Sequence, residues 1–157
     1  MMLQKPRYFL WITIVEAAGA LSGFLSREGT EIYEQTAAKP ALTPPGILFP
    51  IVWTILYGLM GISAAKVSAS PGSMERSRAL NTFIVQLVFN FFWSLLFFNA
   101  QAYGFALGWV LVLWVLIIVM IRLFWTVDRQ AALLQLPYLV WVTFAAYLNF
   151  GVWRLNR

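Results

Sequence analysis

A chain of 157 residues that is 61% hydrophobic and only 11% charged, with a mean hydropathy of +0.76, is far from a soluble domain, in which about 25% of residues are charged. It has no cysteine and no histidine, which excludes thiol nucleophiles, disulfides, imidazole general bases, His-ligated haem and the usual zinc sites, so no metal ligands are expected. Its net charge of +5 comes from basic residues standing singly beside apolar runs, the pattern of membrane flanks, so the lipid bilayer is the expected partner and nucleic acid is not.

Five apolar runs follow one another, roughly 8–26, 47–67, 80–98, 103–127 and 131–155, each close to the 20 or so residues that cross a bilayer as a helix. They lack the period-two alternation of a membrane barrel, and lipid admits only helices or closed barrels as spanning structures. The expected fold class is therefore all-α: a five-transmembrane-helix bundle filling residues 1–157 as a single integral-membrane domain.

The first run is preceded by Lys5 and Arg7 and is about 19 residues long, nearer a full span than a signal-peptide core. Glu16 lies in its middle, where a charge is costly. Both a functional site and a protonated side chain bonding a neighbouring helix account for it. Gly19 and Gly23, four apart among Ala18, Ala20 and Ser22, make a small-residue surface that lets another helix approach, within the chain or from a second copy.

Residues 27–45 form the one long connection and contain Pro40, Pro44 and Pro45. Proline fixes φ and pushes its predecessor into extended conformations, so the segment is semi-rigid and is expected to act as a lid. The second run places Trp53 and Tyr57 four apart on one face. In the third, Gln86, Asn90, Trp93 and Phe97 step by four, three and four, and amides and aromatics share one stripe. Residues 68–77 read as a polar turn, and 99–102 and 128–130 as tight connections between antiparallel neighbours. The fifth run repeats the stripe with Tyr138, Trp141, Ala145 and Asn149.

Amides at membrane depth either pair across helices or line a pocket; the adjacent aromatics favour a pocket formed where three stripes meet. Flat indole and phenol faces, a few amides and a lid would suit a large planar apolar ligand such as a porphyrin or a sterol, held by its ring rather than by a metal, with no required cofactor. Lys5, Arg7, Lys66, Arg76, Arg78, Arg122 and Arg129 fall on the N-terminal side of the five spans, against Arg27, Lys39, Arg154 and Arg157 on the other. This bias puts the N-terminus inside and the lid loop outside.

Lys39-Pro40, Thr43-Pro44-Pro45, Trp53, Gln86-Leu87, Asn90, Trp93, Phe97-Phe98, Pro137-Tyr138, Trp141 and Leu148-Asn149 together resemble the translocator protein family, the tryptophan-rich sensory proteins also called peripheral benzodiazepine receptors. The resemblance implies five membrane helices in, for a bacterial member, the cell membrane, a pocket closed by the first loop, homodimerisation, and binding of protoporphyrin, haem, sterols and isoquinoline or benzodiazepine-type ligands. It implies a sensor or transport-associated protein or, alternatively, an enzyme of light- and oxygen-dependent protoporphyrin degradation. Trp53 and Trp141 match the tryptophans tied to that degradation, which makes them the catalytic candidates, while Asn90, Trp93 and Ala145 match pocket-lining positions. A third alternative is a scaffold whose stripes are filled by side chains.

The chain departs from the family pattern at Leu42, where an aromatic wall of the lid is expected, and at Phe150, where the sterol motif of animal members has tyrosine. Tyr147 is no substitute, being too far from Arg154 for the loose cholesterol pattern.

Overall fold

The computed structural model describes residues 5–157. Its helices are α1 (Tyr8–Leu25), α2 (Arg27–Thr36), α3 (Leu48–Ser68), α4 (Met74–Ser94) continued by a π-helical turn (Leu95–Asn99), α5 (Tyr103–Val127), α6 (Arg129–Leu134) and α7 (Leu136–Leu155). Among the described residues five continuous stretches are long and apolar enough to cross a membrane: α1, α3, α4 with its π turn, α5, and α6 with α7. The bundle is all-α, and no strand occurs among the described residues.

Three of the sequence-derived boundaries shift, each for a local reason. The third span starts at Met74 rather than near residue 80, because Ser73 caps it: the Arg76 amide donates to the Ser73 hydroxyl at 3.1 Å, and Glu75 lies in the first turn. Those polar turns carry no apolar signal yet are helical. The fifth span is broken at Gln135, since Pro137 near the start of α7 has no N–H to offer the preceding turn. Asp128 caps α6 by accepting from the Ala131 amide at 3.0 Å. The largest difference lies in residues 27–45, whose first ten residues form α2 instead of loop.

α2 turns back across the bundle end because its apolar side has somewhere to go. Tyr33 is buried on Phe97 and Phe98, with ring centroids 5.3 Å away in each case. The π turn, with its extra residue per turn, is what presents both phenylalanines to it. Lys39 closes the other end, its ammonium donating to the carbonyls of Tyr33, Glu34 and Ala37 at 3.3, 3.1 and 3.1 Å, a cation on the negative end of the helix.

The two halves of the bundle differ. Around the N-terminal ends of α1 and α4 and the C-terminal ends of α3 and α5, side chains such as Met60, Ala64, Phe83, Ile117, Met120 and Phe124 are fully buried in one packed core. Towards α2 the core thins to a satellite cluster of Tyr33, Phe97, Ala106 and Val152. The space between is hollow.

Candidate functional site

That hollow is a cavity of about 470 Å³, within the usual range of small-molecule sites. From α3 it is walled by Phe49, Pro50, Trp53, Thr54 and Tyr57; from α4 and the π turn by Trp93, Ser94, Phe97 and Phe98; from α7 by Trp141, Ala145, Leu148 and Asn149. α1 contributes Glu16, Gly19, Ala20, Ser22 and Gly23, Ser26 follows at the junction, and α2 roofs it with Arg27, Thr30, Tyr33 and Glu34. Three indoles from three helices therefore face one space.

The small residues of α1 both let α3 approach closely and leave that space open. A side chain at Gly23 would meet nothing, while at Gly19 the Tyr57 ring lies where a Cβ would stand, so only glycine lets that ring in. Tyr57 is held there by stacking on Trp53, 5.4 Å between centroids at 25°, and by a buried hydrogen bond to Asn90.

That bond begins a polar chain under the cavity floor. The Tyr57 hydroxyl donates to Asn90 Oδ1 at 2.8 Å, Asn90 Nδ2 donates to the Tyr138 hydroxyl at 2.8 Å, and that hydroxyl donates to Gln86 Oε1 at 2.7 Å. All four residues are buried. A second pair fixes the wall: Trp93 Nε1 donates to Asn149 Oδ1 at 3.0 Å, and Asn149 Nδ2 donates to the Tyr103 carbonyl at 2.8 Å.

The sequence-derived stripes thus meet as α3, α4 and α7 come together, but their members divide. Trp53, Tyr57, Trp93, Phe97, Trp141, Ala145 and Asn149 line the cavity, whereas Gln86, Asn90 and Tyr138 lie outside its wall and tie the helices beneath it. Pro40, Pro44 and Pro45 do not line it either. Pro40 packs against Gly151, the Tyr147 hydroxyl donates to the Ala41 carbonyl at 2.7 Å, and the Asn156 amide brackets Ala38 with bonds of 2.9 and 2.8 Å. The proline segment is therefore a strap pinned to α7, and α2 is the roof.

Leu42, where an aromatic wall was expected, is 80% exposed with φ of 72°, a left-handed conformation unusual outside glycine. Its side chain points away from the cavity. Phe150 lies on the outward, exposed face of α7 with the Arg154 guanidinium 6.0 Å from its ring, so that motif is also remote from the hollow.

Sequence reasoning missed the contributions of α2 and left Glu16 between a functional site and a bond to a neighbouring helix. A signal was present: Glu16, Gly19 or Ala20, Gly23, Ser26 or Arg27, Thr30 and Tyr33 or Glu34 step by three or four straight through the α1–α2 junction. Glu34 completes the seal by packing against Gly46, just before α3. Burial pushes the Tyr33 phenol up to about 12, helped by the neighbouring Tyr103 and Glu34, so it is a neutral hydroxyl in the roof.

The wall's aromatic groups are oriented by one another. Trp141 meets Phe49 edge-on at 5.8 Å and Phe144 at 5.6 Å, and its indole N–H is buried with no hydrogen-bond partner. Trp93 stacks on Phe97 at 5.1 Å and 27°. Outside, Trp141 also borders an apolar groove between α3 and α7, with Val52, Ile55, Leu56, Pro137, Val140 and Phe144, so a single indole partitions cavity from lipid-facing surface.

Comparison with known proteins shows what the chain is similar to. Residues 11–154 match the profile of the TspO/MBR family. The chain is similar to the tryptophan-rich protein TspO of Chlorobaculum tepidum, 37% identical over 94% of each chain. It is 35% identical to the tryptophan-rich sensory protein of Cereibacter sphaeroides, over 94% of this chain and 91% of that one. It is 31% identical to the translocator protein of Ovis aries, over 92% and 88% respectively.

Proposed function

This chain belongs to the TspO/MBR family of multi-pass integral membrane proteins, and on that premise we propose that it is a membrane sensor or transport-associated protein that binds tetrapyrroles such as protoporphyrin or haem in its roofed cavity. The observation that carries the reading is the convergence of Trp53, Trp93 and Trp141, with Phe49 and Phe97, on one mostly apolar hollow. Planar rings bind planar rings by offset stacking and edge contacts, and such contacts tolerate an unliganded ring centre. Sterols or isoquinoline and benzodiazepine-type ligands would use the same wall.

The rest of the geometry supports capture and release. The wall is rigid because its polar atoms are spent on the protein: Asn149 holds Trp93, and Asn90 holds Tyr57. The roof is a separate short helix seated by Tyr33 on Phe97 and Phe98, by Gly29 against the π turn and by Glu34 against Gly46, an arrangement that opens without disturbing the packed half. The excess of basic residues on the N-terminal side supports a topology with the N-terminus inside and α2 outside.

A second reading, consumption of bound protoporphyrin under light with oxygen as oxidant, draws on Trp53 and Trp141 standing on the same cavity. One experiment separates the two. Purified protein is titrated with protoporphyrin in the dark and under illumination, following tryptophan quenching and porphyrin absorbance together. Saturable quenching without protein-dependent bleaching supports the sensor or carrier; protein-dependent bleaching supports the enzyme; absence of quenching rejects both.

A further inference from the structure

Glu16 is the one acidic residue at membrane depth in α1, and neither the hydrogen-bonded floor nor the aromatic wall uses it. It lies halfway along α1, half-buried, on the cavity wall. Its Oε2 stands opposite Gly58 of α3, 3.5 Å from where a Cβ there would sit. A carboxyl group so placed calls for a donor.

The protein does not provide one. Among the described residues no side chain or backbone group donates to Glu16, and the cavity-lining hydroxyls of α1, of Ser26 that follows it and of α3 are spent elsewhere. Ser22 donates to the Phe91 carbonyl at 2.7 Å, Ser26 to Ser22 at 2.7 Å, Thr54 to Pro50 at 2.7 Å and Tyr57 to Asn90 at 2.8 Å. The cavity's one cation, Arg27, is eleven positions further along the α1–α2 path, roughly 16 Å by helical rise. It is itself committed to the Phe24 carbonyl at 2.8 Å and to the Phe24 ring at 4.0 Å. Glu34, the other carboxylate on the cavity, sits at the roof against Gly46.

We propose that Glu16 makes the deep end of the cavity a recognition site for a lipophilic cation: a flat aromatic body carrying one protonated amine, with the ammonium on the Glu16 carboxylate and the ring against Trp53 and its neighbours. A carboxylate in an apolar space pairs with an ammonium more strongly than in water, and indole faces add cation–π attraction. The amine supplies the donor that Glu16 lacks. This inference rests on the cavity admitting a ligand, as proposed above, but not on that ligand being a tetrapyrrole.

The test uses the full chain in a non-ionic detergent and two matched fluorescent probes, 4-(pyren-1-yl)butylamine and its neutral counterpart 4-(pyren-1-yl)butanol, read by energy transfer from tryptophan. Wild type should bind the amine on the order of ten-fold more tightly than the alcohol, the scale of one charge-assisted hydrogen bond. Glu16→Gln, which keeps size and shape, should bring the two affinities together by weakening the amine alone. Gly23→Leu should abolish transfer from both probes, because position 23 lines the cavity, a Cβ there meets nothing within 4 Å, and the added side chain takes up cavity space. No preference in wild type, a preference that survives Glu16→Gln, or amine binding that survives Gly23→Leu each overturns the proposal. Protoporphyrin quenching run alongside separates the two readings. If it persists while the amine preference is absent, only the Glu16 site fails; if neither protoporphyrin nor either pyrene probe binds, the cavity reading fails and takes this one with it.

Discussion

The Tyr57 hydroxyl donates to Asn90 Oδ1 at 2.8 Å across the α3–α4 contact, and Asn90 passes the chain on to Tyr138 of α7. One amide thereby joins three helices at the floor of the cavity. Buried networks of this kind are costly to break in the middle, because each neighbour loses its partner while staying desolvated.

Asn90→Leu should therefore destabilise the protein by about 1–3 kcal/mol, the cost of leaving buried polar groups unsatisfied. Thermal denaturation in detergent checks it. Tyr57→Phe removes the donor together with its need and should cost less than Asn90→Leu. Equal losses in the two variants would mean that the chain contributes packing rather than hydrogen bonding.

Ligand affinity should respond to the wall and not directly to the floor. Trp141→Ala removes a cavity indole and should weaken protoporphyrin binding by about 0.5 to 1.5 kcal/mol beyond lost area, roughly three- to ten-fold. Gln86→Ala, which lies outside the wall, should leave the affinity of the folded fraction near wild type. Titration by tryptophan quenching compares the two.

Much of this layout was legible in the sequence, and the parts that were not have physical reasons. The stripes through Trp53, Asn90 and Trp141 read correctly as faces because a helix repeats every 3.6 residues whatever surrounds it. Which members would face a cavity and which would bond to one another depends on how far apart the helices stand, and Asn90 and Trp93 on the same stripe take different fates for that reason alone. α2 was missed because ten mostly polar residues between apolar spans carry no membrane signal; its helicity comes from Tyr33 finding Phe97 and Phe98 and from Lys39 capping its end. The prolines drew attention as a lid because they are locally stiff, yet stiffness does not say where a segment lies, and they are tied down on α7.

Ligand escape should accordingly be governed by the seat of α2. Tyr33→Ala should raise the protoporphyrin dissociation rate on the order of ten-fold, by loss of two aromatic contacts. The double change Pro44→Gly and Pro45→Gly, off the cavity wall, should raise it less. Stopped-flow displacement ranks them, and the opposite order would return the gate to the proline segment.

The same seat has a pH signature. The Tyr33 phenol titrates near 12 in place against 10.0 when free, so its neutral form is the one the fold stabilises. With the folded value raised, that stabilisation is complete below pH 10 and is lost as pH rises through about 12. Dissociation rates should be flat with respect to this group up to about pH 10 and climb above it, and Tyr33→Phe should remove the climb.

Any consumption of protoporphyrin should depend on the cavity indoles. Trp53→Phe and Trp141→Phe keep an aromatic face for stacking but remove the more easily oxidised ring and its N–H, so binding should outlast turnover. With no thiol or imidazole anywhere in the chain, the readily oxidised groups on this wall are the indoles of Trp53, Trp93 and Trp141, of which Trp53 and Trp141 are the pair in the proposed reading, and Tyr57 is stacked on Trp53 and hydrogen-bonded to Asn90. Illumination of wild type, the double Phe variant and free porphyrin in the same detergent decides between a photochemical enzyme and a carrier. Faster bleaching in wild type alone assigns the chemistry to the two indoles, whereas identical bleaching in all three leaves the cavity as a place of binding only.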